Sequence, residues 1–398
     1  ERITRDWWKR WKDCEEVENV GRNSLNWVLT RQLTPSMKMR INLTKEDTLL
    51  LKGAAIMAII FHNFYHKFEG GIVENEFTFH PNSYWEFWES FLHPGFNLFN
   101  NFFSFYGHYG VSVFFFVSGY GLAKKYALLD SKVTVTAFMT EKIRKFWLLM
   151  VPLLLVCMVG FAAKVFYLRE FHDALEHMKV IMVHMFYKIT FTSNFISEEE
   201  VYWLVGPWWF FSAILQIYLI YWLMINKTSS NLKLFFIAIL CVLLQIAVYS
   251  IQDDYLSMIR YNFPAWLPIF IIGVMCGRKS TIRIPFWIAC FLFFLCFVVD
   301  VNVYSWLAGS IFFFFVFLFL SYYILGKSVL LKSIFVWLGG ISAYLFVLNG
   351  LLRHLSFLVL PPDVPHPAWI ICMAGLLHFA VCILLAVCYK RFLNFITK

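Results

Sequence analysis

Four polar side chains interrupt an otherwise apolar segment, LLKGAAIMAIIFHNFYH, residues 50–66: Lys52, His62, Asn63 and His66. At about 100° per residue, with Lys52 as zero, Asn63 projects near 20°, His66 near −40° and His62 near −80°, so all four share one face. His62 lies ten residues beyond Lys52, roughly 15 Å along a helix axis. Imidazole titrates near neutral pH and can take a proton from a hydroxyl, which makes His62 the candidate general base. Asn63 and His66 are candidate polar partners. His62 and His66 at i, i+4 also have the spacing of a metal pair, but the sequence offers no third ligand beside them, and no metal is expected.

The elements that must carry this face are membrane helices. The chain has 398 residues, 60% of them hydrophobic, 20% aromatic and only 15% charged. That excludes a disordered chain, and the ring surface exceeds what one water-soluble core would hide. Apolar runs long enough to cross about 30 Å of hydrocarbon fall near 48–67, 107–126, 145–167, 207–226, 233–251, 263–278, 284–300, 304–325, 334–353 and 368–390. The expected fold is all-α, a polytopic bundle of about ten transmembrane helices solvated by membrane lipid. The stretch 176–196, broken by Lys179, His184 and Lys188, reads as lying at the membrane surface.

A net charge of +9 resembles a nucleic-acid signal until its placement is read. With the N-terminal side of the first span in the cytoplasm, most Lys and Arg fall on inside loops, and Glu69, Glu74, Glu76, Glu86, Glu89, Asp253, Asp254 and Asp300 fall outside. Lys67, Arg260 and Arg353 are among the few basic residues left outside. The positive-inside bias thus accounts for the charge, no nucleic acid is implied, and both termini are cytoplasmic.

Residues 1–45 read as an N-terminal cytoplasmic extension before a membrane domain at 46–398, with a retained signal-anchor and no cleavable signal peptide. Residues 1–36 are expected to come from an over-extended reading frame, because Met37 opens a compact basic flank to the first span. The nine cysteines lie mostly in apolar runs without metal-ligand spacing and read as apolar fillers. The rings of the first external loop, Phe77, Tyr84, Trp85, Phe87, Trp88 and Phe91, suit headgroup anchoring or a platform for a sugar or polyprenyl acceptor.

Five segments in order resemble the acyltransferase-3 family of integral membrane acyltransferases. They are the first helix with its basic residue, glycine and histidine; GHYGVSVFFFVSGYGLAKKY at 107–126; FMTEKIRKFWLLMVP at 138–152; PWWFFSAILQIYLIY at 207–221; and LGGISAYLFVLNG at 338–350. The family histidine commonly stands eleven residues after the basic residue, where this chain has Asn63, so His62 inherits the role with His66 in reserve. In the last segment Asn349 stands where many members have histidine.

The resemblance implies transfer of an acyl group, usually acetyl from acetyl-CoA, to a hydroxyl of a cell-surface glycan or lipid-linked sugar, by a multi-pass protein of the bacterial inner membrane. Acyl-CoA would be a co-substrate, with no bound cofactor. Lys52, Lys142, Arg144 and Lys145 are candidates for the CoA phosphates, since clustered Lys and Arg suit phosphate. His108, Ser118 and Tyr120 on the second span are candidate acceptor or cavity residues. A transporter of an acyl or polysaccharide precursor is the alternative; it predicts repeated halves and matching broken helices, and neither is evident. The oligomeric state has no signature in the sequence.

Overall fold

The computed structural model describes residues 38–127, 133–168, 171–279 and 281–397; the expectation for residues 1–36 lies outside them. After strand β1 (Lys38–Ile41) come α1 (Lys45–Tyr65), α2 (Ser83–Leu92), α3 (Phe96–Tyr106), α4 (Gly110–Ala127), α5 (Val135–Leu168), α6 (Phe171–Thr190) and α7 (Trp209–Ile220). They are followed by α8 (Asn231–Ile251), α9 (Leu256–Arg260), α10 (Phe263–Arg278), strand β2 (Ile282–Pro285), α11 (Phe286–Cys296), α12 (Gly309–Tyr323), α13 (Val329–Gly340), α14 (Ser342–Val359) and α15 (Ala368–Ile396). The protein is a helical membrane bundle.

Helix α1 is the hub. Thr44 and Asp47 close a capping box at its start, satisfying donors that a helix N-terminus otherwise leaves unpaired. Its faces are taken up by α3, α4, α12, α13, α14 and α15. In its apolar window 78% of residues are buried, against 11% for Val135–Ala163 of α5. An apolar helix enclosed by protein can carry polar groups inward, whereas α5 presents its apolar surface outward, as lipid-facing helices do.

The α4–α10 crossing shows how close packing is reached without a hydrophobic drive between helices. A Cβ on Gly119 would stand 2.2 Å from the Phe270 carbonyl oxygen, and one on Gly273 would stand 2.2 Å from that of Phe116. Reciprocal glycines thus bring two backbones into contact.

Two sequence expectations change in detail. Among the described residues, seven helices are long and apolar enough to span a membrane, or eight when α9 and α10 with the turn before them, bent by 46°, count as one. The stretches expected at 107–126 and 284–300 are the two of the ten that are not among these spans. Phe286–Val301 and Val329–Gly340 are short apolar helices, and the span expected over 334–353 breaks at Ile341 between α13 and α14. The break falls where Gly339, Gly340 and Ser342 interrupt the apolar run. A Cβ on Gly339 would meet the Leu49 carbonyl oxygen at 1.9 Å, and Ser342 Oγ donates to the Gly339 carbonyl at 2.9 Å, so contact with α1 and a local side-chain bond hold it. The second change is a two-stranded antiparallel ribbon of β1 and β2 beside the helices.

Gly119→Ala and Gly273→Ala are each expected to lower the unfolding temperature of detergent-solubilised protein through overpacking of about 1–3 kcal/mol. Gly121→Ala, which meets nothing within 4 Å, is the matched control and leaves the midpoint in place. The measurement is fluorescence-detected size exclusion after heating.

Candidate active site

His62 lines a small cavity of about 30 Å³ shared with side chains from α1, the following loop, the start of α4, the segment before α7, and α14. It is 2% exposed. Its ring is oriented by one bond: Nδ1–H donates to the Ser104 carbonyl in α3 at 2.9 Å. Ser104 is held in turn through its Oγ, which donates to the Ile72 carbonyl at 2.9 Å. With the proton on Nδ1, the lone pair of His62 sits on Nε2, which has no hydrogen-bond partner and faces Glu76 Oε2 at 3.7 Å.

His66 repeats the pattern one turn on. Its Nδ1–H donates to the His62 carbonyl at 2.6 Å, and its Nε2 faces Glu74 Oε1 at 3.7 Å. The two imidazoles stack with centroids 4.6 Å apart and planes 13° from parallel. His108 approaches edge-on at 5.3 Å with both ring nitrogens buried and unpartnered. The approach is possible because Gly107 lacks a side chain: a Cβ there would stand 2.7 Å from His62 Cβ.

The two carboxylates come from the loop after α1, and that loop is strapped down. Trp306 Nε1 donates to the Asn75 carbonyl and Arg260 Nε to the Glu76 carbonyl at 3.0 Å. Arg260 is buried, lies 4.0 Å over the Trp306 ring and donates Nη1 to Gln245 Oε1 at 3.1 Å. Phe77 packs between Tyr261 and Trp209, at 4.1 and 5.2 Å. Burial raises the Glu74 carboxyl above the ordinary range, because desolvation disfavours its charged form. Lys67 and Arg353 also line the cavity, and Arg353 Nη1 donates to the Asn63 carbonyl at 2.9 Å.

Of the sequence candidates, His62, Asn63, His66 and His108 converge on this cavity. Ser118 and Tyr120 do not line it. They stand ten and twelve residues beyond His108, roughly 15 Å or more along α4 at helical rise. Ser118 Oγ accepts from Tyr218 at 3.5 Å, and Tyr120 Oη accepts from the Leu43 amide at 2.9 Å and donates to the Leu43 carbonyl at 3.2 Å, anchoring the lead into α1. Lys52, Lys142, Arg144 and Lys145 are likewise outside the cavity lining. Lys142 stands over the Phe138 and Tyr218 rings at 5.2 and 5.3 Å, Lys145 pairs with Glu141, Arg144 is exposed and Lys52 half-buried.

Sequence reading missed Glu74, Glu76, Lys67 and Arg353, which it counted only as external charges. The signal was present. Two carboxylates stand within ten residues of His66, and Arg353 sits at the end of an apolar run, where an ionisable group is a functional candidate by default.

A buried histidine with a fixed tautomer, facing carboxylates in a cavity of a helical membrane bundle, has the form of an intramembrane acid–base site. The family model described as an acyltransferase domain matches residues 49–387, and the chain belongs to this acyltransferase-3 family. It is a multi-pass membrane acyltransferase. Searches of curated proteins and of solved structures each returned no match.

The strap predicts a measurable opening. Arg260→Gln removes charge-assisted bonds worth about 1.5–3 kcal/mol. Amide exchange across 74–77 is expected to quicken about tenfold to a hundredfold, with exchange in α15 unchanged; equal rates in both proteins would refute the strap.

Proposed function

We propose that the chain transfers an acyl group, acetyl in the simplest case, from acyl-CoA to a hydroxyl of a cell-surface glycan or lipid-linked sugar, and that it does so in a bacterial inner membrane. The observation that carries this reading is the His62 Nε2 lone pair, fixed by the Nδ1–Ser104 bond and directed without a partner into the cavity.

In the proposed step Nε2 takes the proton of the acceptor hydroxyl as its oxygen attacks the thioester carbonyl. The new ester C–O bond forms, the C–S bond breaks, and the proton on the imidazolium passes to the departing CoA sulfur. Glu76, 3.7 Å from Nε2, favours the imidazolium while it lasts, since an opposite charge at this range stabilises the charged ring. His108 and the Asn63 side chain are polar neighbours for the acceptor, and Phe77, Tyr202 and Trp209 supply apolar and ring surface to the cavity wall.

CoA enters this reading from the side that the Lys and Arg bias assigns to the cytoplasm. Lys52, Lys142, Arg144 and Lys145 meet its phosphates there, and the thioester end extends inward along α1. Direct transfer suits the site better than a covalent serine intermediate, because the cavity lining contains no serine.

The test is transfer of labelled acetyl from acetyl-CoA into membranes holding wild type or variants at matched levels. His62→Ala is expected to lower transfer by about 100-fold or more, and Glu76→Gln roughly tenfold, equivalent to about 1.4 kcal/mol in the barrier. Loss with His66→Ala but not with His62→Ala would move the base one turn and sink the assignment. No label above vector in wild type would remove the acetyl-CoA reading.

A further inference from the structure

The sequence offered two ligand-type histidines and no third group; the fold supplies one. His62, His66 and Glu74 bring one ligand atom each to within 4.8 Å of one another. The histidines come from a single helix turn and Glu74 from the strapped loop, so the set exists only in the folded chain.

Three features distinguish this set from an accidental cluster. Both histidines donate Nδ1–H to a backbone carbonyl, at 2.9 Å for His62 and 2.6 Å for His66. That is the outer bond by which metal-binding imidazoles are usually oriented, leaving Nε2 as the ligand. His62 Nε2 is buried without a hydrogen-bond partner, pointing where a ligand atom would. Finally, Nε2 lone pairs face carboxylate oxygens at 3.7 Å in both pairs: acceptor faces acceptor, an arrangement that a cation between them resolves. Lys67 and Arg353 act on both carboxylates electrostatically, but among the described residues neither cation comes within 4 Å of a carboxylate oxygen, which leaves those oxygens free to ligate.

The geometry points to a divalent metal site of the zinc class, held by Nε2 of His62 and His66 and a carboxylate oxygen of Glu74, with the fourth position open to the cavity. Two histidines and one carboxylate around an open position form a recognised zinc set. Ligand atoms bound at about 2.1 Å in a tetrahedral set stand about 3.4 Å apart. His66 and Glu74 at 3.7 Å stand close to that separation. The two imidazoles, stacked 13° from parallel, turn with the Glu74 side chain as the set, now within 4.8 Å, closes on the ion.

The consequence is regulatory. The lone pair that would bind metal is the one that would accept the acceptor's proton, so a loaded site withholds the base. Metal binding itself stands apart from the acyl-transfer reading; only this effect on turnover rests on it.

The test is Co²⁺ titration of the purified full chain after chelator treatment, read by the visible d–d bands of four-coordinate cobalt. Wild type is expected to develop these bands at one equivalent and to lose them on adding Zn²⁺. His66→Ala and the near-isosteric Glu74→Gln, both checked for monodisperse elution, are expected to bind at least about 100-fold more weakly. No visible band in folded wild type, bands retained in both variants, or sulfur-to-cobalt charge transfer showing a cysteine site would each overturn the proposal. Where acetyl transfer is measured, Zn²⁺ is expected to inhibit it and chelator to restore it; zinc binding with transfer unaffected would overturn the regulatory effect. Absence of transfer alongside intact cobalt binding counts against the acyl-transfer reading alone.

Discussion

The bond from His62 Nδ1–H to the Ser104 carbonyl governs everything the cavity can do. An imidazole free to flip would present either nitrogen in either protonation state, and a buried ring with no fixed partner would carry an unmet donor at a cost of about 1–3 kcal/mol. The carbonyl removes that ambiguity. It comes from α3, a helix of the first loop rather than of a spanning pair, so the loop's folding is a condition for the site. The short approach at Gly107 and the enclosure of α1 by six neighbouring helices keep the ring where the bond can form.

A second set of buried polar groups does for the carboxylates what Ser104 does for the histidine. Arg260 holds the Glu76 carbonyl, Trp306 holds the Asn75 carbonyl, and the guanidinium lies on the Trp306 ring. Behind them Tyr109 donates to Asp300 at 2.6 Å. A buried arginine is costly unless its donors are matched. Here its bonds go to loop backbone and to Gln245, so ordering of the loop and satisfaction of the charge happen together. The loop bearing Glu74 and Glu76 is therefore a wall of the site and not a mobile external segment.

The bundle was legible because membrane helices declare themselves by length and apolarity, and His62 because a polar stripe on an apolar helix is visible from residue spacing alone. What sequence could not supply was contact between distant segments. Glu74 and Glu76 looked like external loop charges because positive-inside reasoning sorts charge by side and not by depth. Tyr120 looked like a cavity residue because it shares a helix with His108; its bonds to the Leu43 backbone show it serving the entry to α1 instead. The break at Ile341 escaped because the glycine pair before it reads as part of one apolar run, and the close approach of Gly339 to α1 that fixes it is a contact between distant segments.

The same fixed lone pair makes His62 suitable both as a base and as a metal ligand, and the two roles exclude each other at any instant. A base needs Nε2 vacant and a hydroxyl beside it; a metal needs Nε2 committed. The cavity contains one His62, so whichever occupant binds more tightly under given conditions decides whether proton abstraction can start. His66 and Glu74 bias that contest, because they contribute to holding a metal and stand outside the proposed proton path from acceptor to CoA. Glu76 stands nearest His62 and favours either a proton or a metal on Nε2, through the same negative charge. The competition thus follows from placing two imidazoles and two carboxylates around one small cavity.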